Sequence, residues 1–111
     1  MDSILNSVKK MLSIDPADTH FDPDIIMHIN SVFMILSQLG IGPAEGFTIE
    51  DEYTEWYDFI PEGKNLESVK TYIYQKVRLL FDPPANSSHL AALKESISEF
   101  EWRLNFQAEL N

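Results

Sequence analysis

The side chains best suited to chemistry are six carboxylates and imidazoles clustered between positions 15 and 28. They are Asp15, Asp18, His20, Asp22, Asp24 and His28. Oxygen and imidazole ligands bind metal ions when several of them converge. An EF-hand loop is excluded, because Ala17 and Thr19 stand where ligands are needed and no central glycine is present. We therefore expect helix caps, turn residues and a surface histidine here, and no bound metal.

Nucleophilic and phosphate chemistry lack their motifs as well. The chain has no cysteine and only four glycines, which excludes a thiolate nucleophile and a phosphate-binding glycine loop. Ser87 and Ser88 precede His89, but they stand where a helix start requires capping residues. The carboxylates of residues 50–58 lie in a charged segment where we expect no burial, and without burial nothing would shift their pKa values toward those that catalysis needs. We predict a protein without enzymatic activity and without a cofactor.

The net charge of −10 is concentrated in one part of the chain. Residues 1–63 contain twelve acids and two bases, whereas residues 64–111 contain six of each. Between Met11 and Gly63 there is no lysine or arginine. Binding to nucleic acid requires clustered cations, so specific nucleic-acid binding is not expected. The acidic surface instead meets a basic partner, repels passing DNA, or serves solubility alone.

A central helix is the strongest element that the sequence predicts, over FDPDIIMHINSVFMILSQLG. Asp22 suits the N-cap, Pro23 suits the first helical position, and Gly40 suits a left-handed C-cap. Apolar residues occupy most of its circumference, which predicts burial on several sides. Polar residues interrupt it, so we do not expect a membrane span. No signal peptide is recognisable at the N-terminus, and we expect a soluble, intracellular protein.

Amphipathic periodicity predicts three further helices and an all-α fold. The expected architecture is one helical domain over residues 1–111, a small four-helix bundle with a long hairpin-like loop between the second and third helices. The predicted helices span about 3–14, 22–39, 65–82 and 87–108, and the acidic loop spans 41–63.

The loop over residues 41–63 combines seven acids and five aromatic residues with no base. Charge beside exposed rings is typical of a contact surface. The candidate interface rings are Tyr53, Trp56 and Tyr57, and the candidate acidic contacts are Glu50, Asp51, Glu52 and Glu55. The alternative is a hairpin whose aromatic residues only cover the bundle.

The last helix has a second candidate interface. Its core-facing stripe is formed by Leu90, Leu93, Ile97, Phe100 and Leu104. Trp102 and Phe106 point roughly 140–180° away from that stripe. Exposed aromatic anchors are typical of interface centres, so we predict that this pair contacts a partner. The alternatives are that the loop folds over both rings or that the terminus frays.

Three segments give the chain a family resemblance. They are IDPADTHFDPDIIMHINSVFMILSQLGIGPAEGF, ESVKTYIYQKVRLLFDPP and ISEFEWRLN. Together they resemble the head–tail connector (adaptor) proteins of tailed phages and prophages. The resemblance implies a ring, expected to be dodecameric, that joins the portal protein to the stopper or tail-completion protein. It also implies a location in the virion neck, reached from the host cytoplasm during assembly.

The resemblance gives the candidate residues a setting without supplying a catalytic motif. DNA would pass through the ring, and Glu50, Asp51, Glu52 and Glu55 would line its lumen or meet a neighbouring subunit. Trp102 and Phe106 would contact the portal or a neighbouring subunit. The alternative function is a small acidic regulatory protein, in the manner of a DNA mimic, that occupies a basic partner.

Overall fold

The computed structural model describes residues 3–110, the side chain of Leu110 excepted, and its secondary structure is helical. The helices are α1 (Ile4–Met11), α2 (Asp22–Gln38), α3 (Trp56–Phe59), α4 (Leu66–Phe81) and α5 (Ser87–Leu110). The β pairing in residues 3–110 is one isolated bridge between Ser3 and Glu55. The prediction of an all-α fold is confirmed. None of the described helices combines the length and the hydropathy needed to cross a membrane.

Helix α2 lies at the centre of the packing. It packs mainly against α4 and also against α1, while α5 packs on α4. Its buried residues are Ile25, Ile29, Val32, Phe33 and Leu36. The Phe33 ring lies 5.2 Å from the ring of Phe47 and 4.6 Å from that of Phe59. The loop that follows α2 therefore folds back and adds aromatic side chains to the core.

The two ends of α2 are stabilised in different ways. Gly40 has a φ of +88°, and the N–H groups of Gly40 and Ile41 donate to the carbonyls of Ser37 and Leu36. This is the left-handed C-cap that the glycine predicted. At the other end the expected Asp22 cap is wrong, because Phe21 occupies the N-cap without a side-chain hydrogen bond. Asp22 is the first helical residue, and its carboxylate lies 2.7 Å from Lys9 Nζ.

Helix α2 is buried on several sides, but one side of it stays exposed. Met27 and Met34 are 57 % and 61 % exposed. Helices α1 and α4 and the loop cover one broad face, which leaves the opposite face of α2 in solvent.

The expected hairpin between the second and third long helices does not form. The segment contains the short helix α3, whose capping box pairs Glu55 with Asp58. The Ile4 N–H donates to the Thr54 carbonyl over 3.0 Å, so the loop is tied to the start of α1. Asp-Glu at positions 51–52 is a poor hairpin turn, and the i, i+3, i+4 spacing of Trp56, Phe59 and Ile60 favours a helical turn instead.

Helices α4 and α5 are joined by polar contacts along their seam. The Tyr72 hydroxyl donates to Glu101 over 2.6 Å, and Lys76 Nζ lies 3.6 Å from the same carboxylate. Tyr72 is fully buried. Burial, together with the hydrogen bond to Glu101, raises the pKa of the Tyr72 phenol far above its usual value. Asn86 caps α5, because its side-chain oxygen accepts from the N–H groups of Ser88 and His89.

Candidate functional site

An exposed aromatic pair lies on the outer face of α5. Trp102 and Phe106 are 67 % and 48 % exposed, and their rings stack with centroids 5.5 Å apart and planes 2° from parallel. Helix α5 places them there because Ile97 and Leu104 are buried on its opposite side. One helical turn separates the two residues, so a single rigid element aligns both rings. The pair forms a flat apolar platform that solvent reaches.

Polar groups border this platform on one side. Arg103 Nη2 lies 2.6 Å from Glu99 Oε1, one helical turn earlier. Both residues line a cleft of about 350 Å³ between α4 and α5, whose apolar wall includes Phe100 and Leu104. The platform is therefore bounded by an exposed ion pair and a partly enclosed cleft, a combination that resembles the apolar centre and polar rim of a protein interface.

The acidic loop forms a second exposed surface. Glu50, Asp51 and Glu52 are exposed, and Tyr53 and Tyr57 are 78 % and 57 % exposed. The Asp51 carboxylate accepts a hydrogen bond from the Tyr53 N–H over 2.9 Å, which orders this turn locally. The result is a negative surface with two accessible phenol rings.

Glu55 differs from the other acids of the loop. It is half-buried, and its side chain accepts from the Asp58 N–H while the Asp58 carboxylate accepts from the Glu55 N–H over 2.8 Å. Its carboxylate therefore has a structural role at the start of α3.

Trp56 requires a correction, because the structure buries it. The indole is 1 % exposed, its Nε1–H donates to Ser7 Oγ over 3.1 Å, and Lys70 Nζ lies 5.5 Å from the ring centroid. The expectation that Trp56 is a contact ring is wrong, since α3 turns its side chain against α1. The structure thus separates Trp56 from Tyr53 and Tyr57, which remain accessible.

A buried lysine is the feature that reasoning from the sequence missed. Lys9 is 1 % exposed, and its ammonium group contacts Asp22 at 2.7 Å and the Pro16 carbonyl at 3.0 Å. Through these contacts Lys9 joins α1 to the first residue of α2 and to the segment between the two helices. The sequence did contain an indication that Lys9 is buried, because Lys9 shares a helical face with the apolar residues Leu5 and Leu12.

Three of the carboxylates between positions 15 and 28 serve local structure, since Asp22 contacts Lys9 and both Asp15 and Asp18 form turns. Asp15 Oδ1 accepts from the Ala17 N–H and Asp18 Oδ1 accepts from the His20 N–H, as in turns. Across residues 3–110, no three histidine, aspartate or glutamate side chains are placed to hold a metal ion.

Comparison with known families shows which family the chain belongs to. A profile of the phage connector protein family matches residues 4–111. The chain belongs to the phage connector protein family. Searches among curated proteins and among solved structures found no match. Membership gives this connector a role in virion assembly at the virion neck, where it interacts with other virion proteins.

Proposed function

We propose that this connector forms a ring, expected to be dodecameric, that joins the portal protein to the stopper or tail-completion protein around the DNA channel. The observation that supports this most strongly is the family match over residues 4–111, which spans nearly the whole chain. The role is structural: it requires interfaces and no catalytic group or cofactor. The protein would join the portal in the host cytoplasm and remain in the virion neck.

The Trp102–Phe106 platform is the proposed contact with the portal or with a neighbouring subunit. Two large rings that are 67 % and 48 % exposed leave apolar area that association would remove from water. Their stacking leaves little side-chain freedom to lose on binding, which favours affinity. Tyr53 and Tyr57 provide smaller amphipathic contacts on the loop surface.

The acidic loop is proposed to face the DNA channel or a neighbouring subunit. Glu50, Asp51 and Glu52 are exposed in a part of the chain that has no lysine or arginine from Met11 to Gly63. Such a surface repels the phosphate backbone, so DNA would pass without binding specifically. Glu55 contributes negative charge to the same loop while capping α3.

The direct test is to mix the purified protein with the portal protein of the same phage and to image the complex by electron microscopy. We expect rings of this protein stacked on the portal rings. Size-exclusion chromatography of the protein alone and with the portal shows whether the protein forms a ring before it binds the portal. The proposal is wrong if no complex forms with the portal or with any other neck component.

The acidic surface also supports a second function, a small regulatory protein that occupies a basic partner. The two functions differ in their response to salt, because the Debye length falls from about 10 Å at 0.1 M to about 3 Å at 1 M. Binding dominated by exposed carboxylates would be lost at 1 M NaCl. Binding through the Trp102–Phe106 platform would persist, since apolar burial does not depend on charge.

A further inference from the structure

A half-buried arginine lies between the end of α1 and the beginning of α5. Arg78 projects from the C-terminal part of α4 and lines two small cavities, one toward α1 and one toward α5. The cavity toward α5, here called the Arg78 cavity, has a volume of about 240 Å³ and is lined by Tyr74, Gln75, Arg78, Pro84, His89 and Leu93. None of these six residues is acidic, although the chain has a net charge of −10. The wall of this cavity therefore carries a cation without a carboxylate.

The guanidinium group of Arg78 has one free edge. Its Nη1 donates to the Tyr74 hydroxyl over 3.2 Å. Nε is enclosed, and neither Nε nor Nη2 makes a hydrogen bond to any residue in the described part of the chain. These two nitrogens present parallel N–H groups, the fork that pairs with both oxygens of a carboxylate. Because an enclosed polar group without a partner is costly, an acceptor from outside the chain would stabilise this edge.

The surroundings of the free edge suit the end of an acidic side chain. Within residues 3–110, no carboxylate forms an ion pair with Arg78, and the nearby Asp82 borders the other cavity. The Tyr74 hydroxyl accepts from Arg78 and keeps its own proton, which it can donate to a ligand. Pro84 and Leu93 supply apolar walls for methylene groups. The ligand chemistry that this cavity recognises is therefore a carboxylate on a short aliphatic stem.

Exposed carboxylates are concentrated near the opposite end of α1. The Thr54 carbonyl accepts from the Ile4 N–H, which joins the segment after the acidic turn of residues 50–52 to the beginning of α1. Residues 11–13, at the end of α1, border the other cavity beside Arg78. A helix of eight residues is about 12 Å long, and it separates these two places. One subunit therefore presents the acidic turn and the free guanidinium edge at different ends.

We propose that the Arg78 cavity binds a carboxylate from the acidic turn of a second copy of this chain. Because the two surfaces differ, the contact is head-to-tail, and such contacts close into a ring when the rotation between copies permits it. Local pairing of opposite charges opposes the repulsion between two subunits that each carry a charge of −10. This contact rests on the proposed ring and specifies which surfaces of neighbouring copies meet.

Glu50 and Glu52 are the carboxylates assigned to the contact. Both are exposed. The carboxylate of Asp51, which lies between them, accepts from the Tyr53 N–H and orders the turn. The variants that test the contact therefore change Glu50 and Glu52 and leave Asp51 in place.

The first experiment measures the site on the free protein, without a portal. The probe is a fluorescein-labelled peptide with the sequence of residues 48–55, TIEDEYTE, and the control peptide has glutamine or asparagine in place of each acid. Fluorescence anisotropy measures binding, and we expect the acidic peptide to bind at least tenfold more tightly than its control. Free glutamate at the same concentration should not displace the peptide. Displacement would assign the cavity to small carboxylates and overturn the contact between copies.

Matched arginine variants localise the peptide on the protein. Arg78→Gln should weaken peptide binding about tenfold or more, because it removes a charge-assisted pair. Arg78→Lys keeps the charge without the fork and should weaken binding less. The control, Arg103→Gln, makes the same change in net charge at an exposed position of α5 and should leave the affinity unchanged. Circular dichroism verifies that the variants fold.

The second experiment measures whether the same pair joins subunits in the ring. Arg78→Glu, and separately Glu50→Arg with Glu52→Arg, should each prevent ring formation on the portal. Combining the three substitutions in one chain should restore the rings, because the charges are exchanged between the two surfaces. Glu45→Arg with Glu62→Arg is the control, since it reverses two exposed acids of the same loop outside the turn and should leave the rings intact. Electron microscopy counts the rings.

Several results would overturn this contact. Equal weakening by Arg78→Gln and Arg103→Gln would mean general charge attraction, and absence of peptide binding to the wild type would reject the site. Rings that form equally well with Arg78→Glu, or rings that the combined variant does not restore, would reject the contact while the connector function stands. If the wild type forms no ring on the portal, the proposed function fails, and the peptide experiment decides by itself whether the Arg78 cavity binds the acidic turn.

Discussion

Trp102 and Phe106 are the residues whose removal most directly tests the assembly surface. Because both rings are exposed, Trp102→Ala with Phe106→Ala should leave the helical circular-dichroism signal intact while portal binding is lost. Sedimentation or electron microscopy with the portal measures the loss. As a control, Leu104→Ala on the buried side of α5 should cost about 2–5 kcal/mol of unfolding free energy. An unfolded aromatic double variant would assign these rings to the core and contradict the platform.

The Lys9–Asp22 contact makes a prediction about a buried charge. Asp22→Asn should lower the free energy of unfolding by about 3–5 kcal/mol, because it leaves the Lys9 ammonium group buried without its counter-charge. Lys9→Met should cost less, since it keeps the packing volume and removes the buried ammonium group, and the carboxylate it leaves unpaired has a buried Oδ1 but belongs to a side chain that is 22 % exposed. Urea denaturation of both variants measures the difference. Equal losses in the two variants would show that the uncompensated charge is not the dominant effect.

The loop between α2 and α3 depends on a close approach at Gly42. Gly42 has a φ of +89°, and a Cβ there would overlap the Phe59 ring, whereas Gly46 has a φ of +91° and open space. Gly46→Ala should cost only the backbone strain, about 1–2 kcal/mol. Gly42→Ala should cost about 1–3 kcal/mol more, because it displaces Phe59 from Phe33 and Phe47. Thermal unfolding of the two variants tests this, and equal midpoints would contradict the packing of the loop on α2.

The seam between α4 and α5 predicts a response to alkaline pH. Burial and Glu101 raise the pKa of Tyr72 in the folded protein, while the unfolded chain has the usual value of about 10. Above that pH the unfolded state loses the phenol proton and the folded state keeps it, so folding stability decreases as pH rises. We expect the unfolding free energy of the wild type to fall more steeply above pH 10 than that of Tyr72→Phe. Parallel curves from denaturant titrations at pH 8 to 11 would contradict a buried Tyr72.

Local signals in the sequence predicted where the long helices lie, but they did not predict which side chains of those helices are buried. The predicted helix at 22–39 differs from α2 by one residue at its C-terminal end, and the predicted helix at 65–82 differs from α4 by one residue at each end, because Pro23, Gly40 and Asp82-Pro83 act on the backbone locally. Helix α3 was missed because a four-residue helix is too short for periodicity to identify. Its presence depends on the capping box and on contact with α1.

The whole molecule should be stabilised by salt. A net charge of −10 on 111 residues repels itself in the compact state, and the acids are concentrated in residues 1–63. Sodium chloride shortens the range of this repulsion, so we expect the thermal midpoint to rise between 0.05 and about 1 M NaCl. The measurement should use sodium chloride and not a sulfate salt, because sulfate also stabilises proteins by being excluded from their surfaces, which would hide the effect of charge screening. A falling midpoint would mean that exposed ion pairs such as Glu99–Arg103, which salt also screens, outweigh the repulsion.

The sequence by itself determined the helical class, the cap at Gly40, the outward direction of Trp102 and Phe106, and the resemblance to connectors. These properties depend on neighbours within a few positions, or on the order of residues as a whole. The tertiary structure alone decided that Trp56 is buried while Tyr53 and Tyr57 are exposed, that Lys9 is enclosed by Asp22 and Pro16, and that Met27 and Met34 remain in solvent. The physical reason is that burial depends on which distant segment covers a side chain. No local pattern specifies that the loop folds over one face of α2 and leaves the other open.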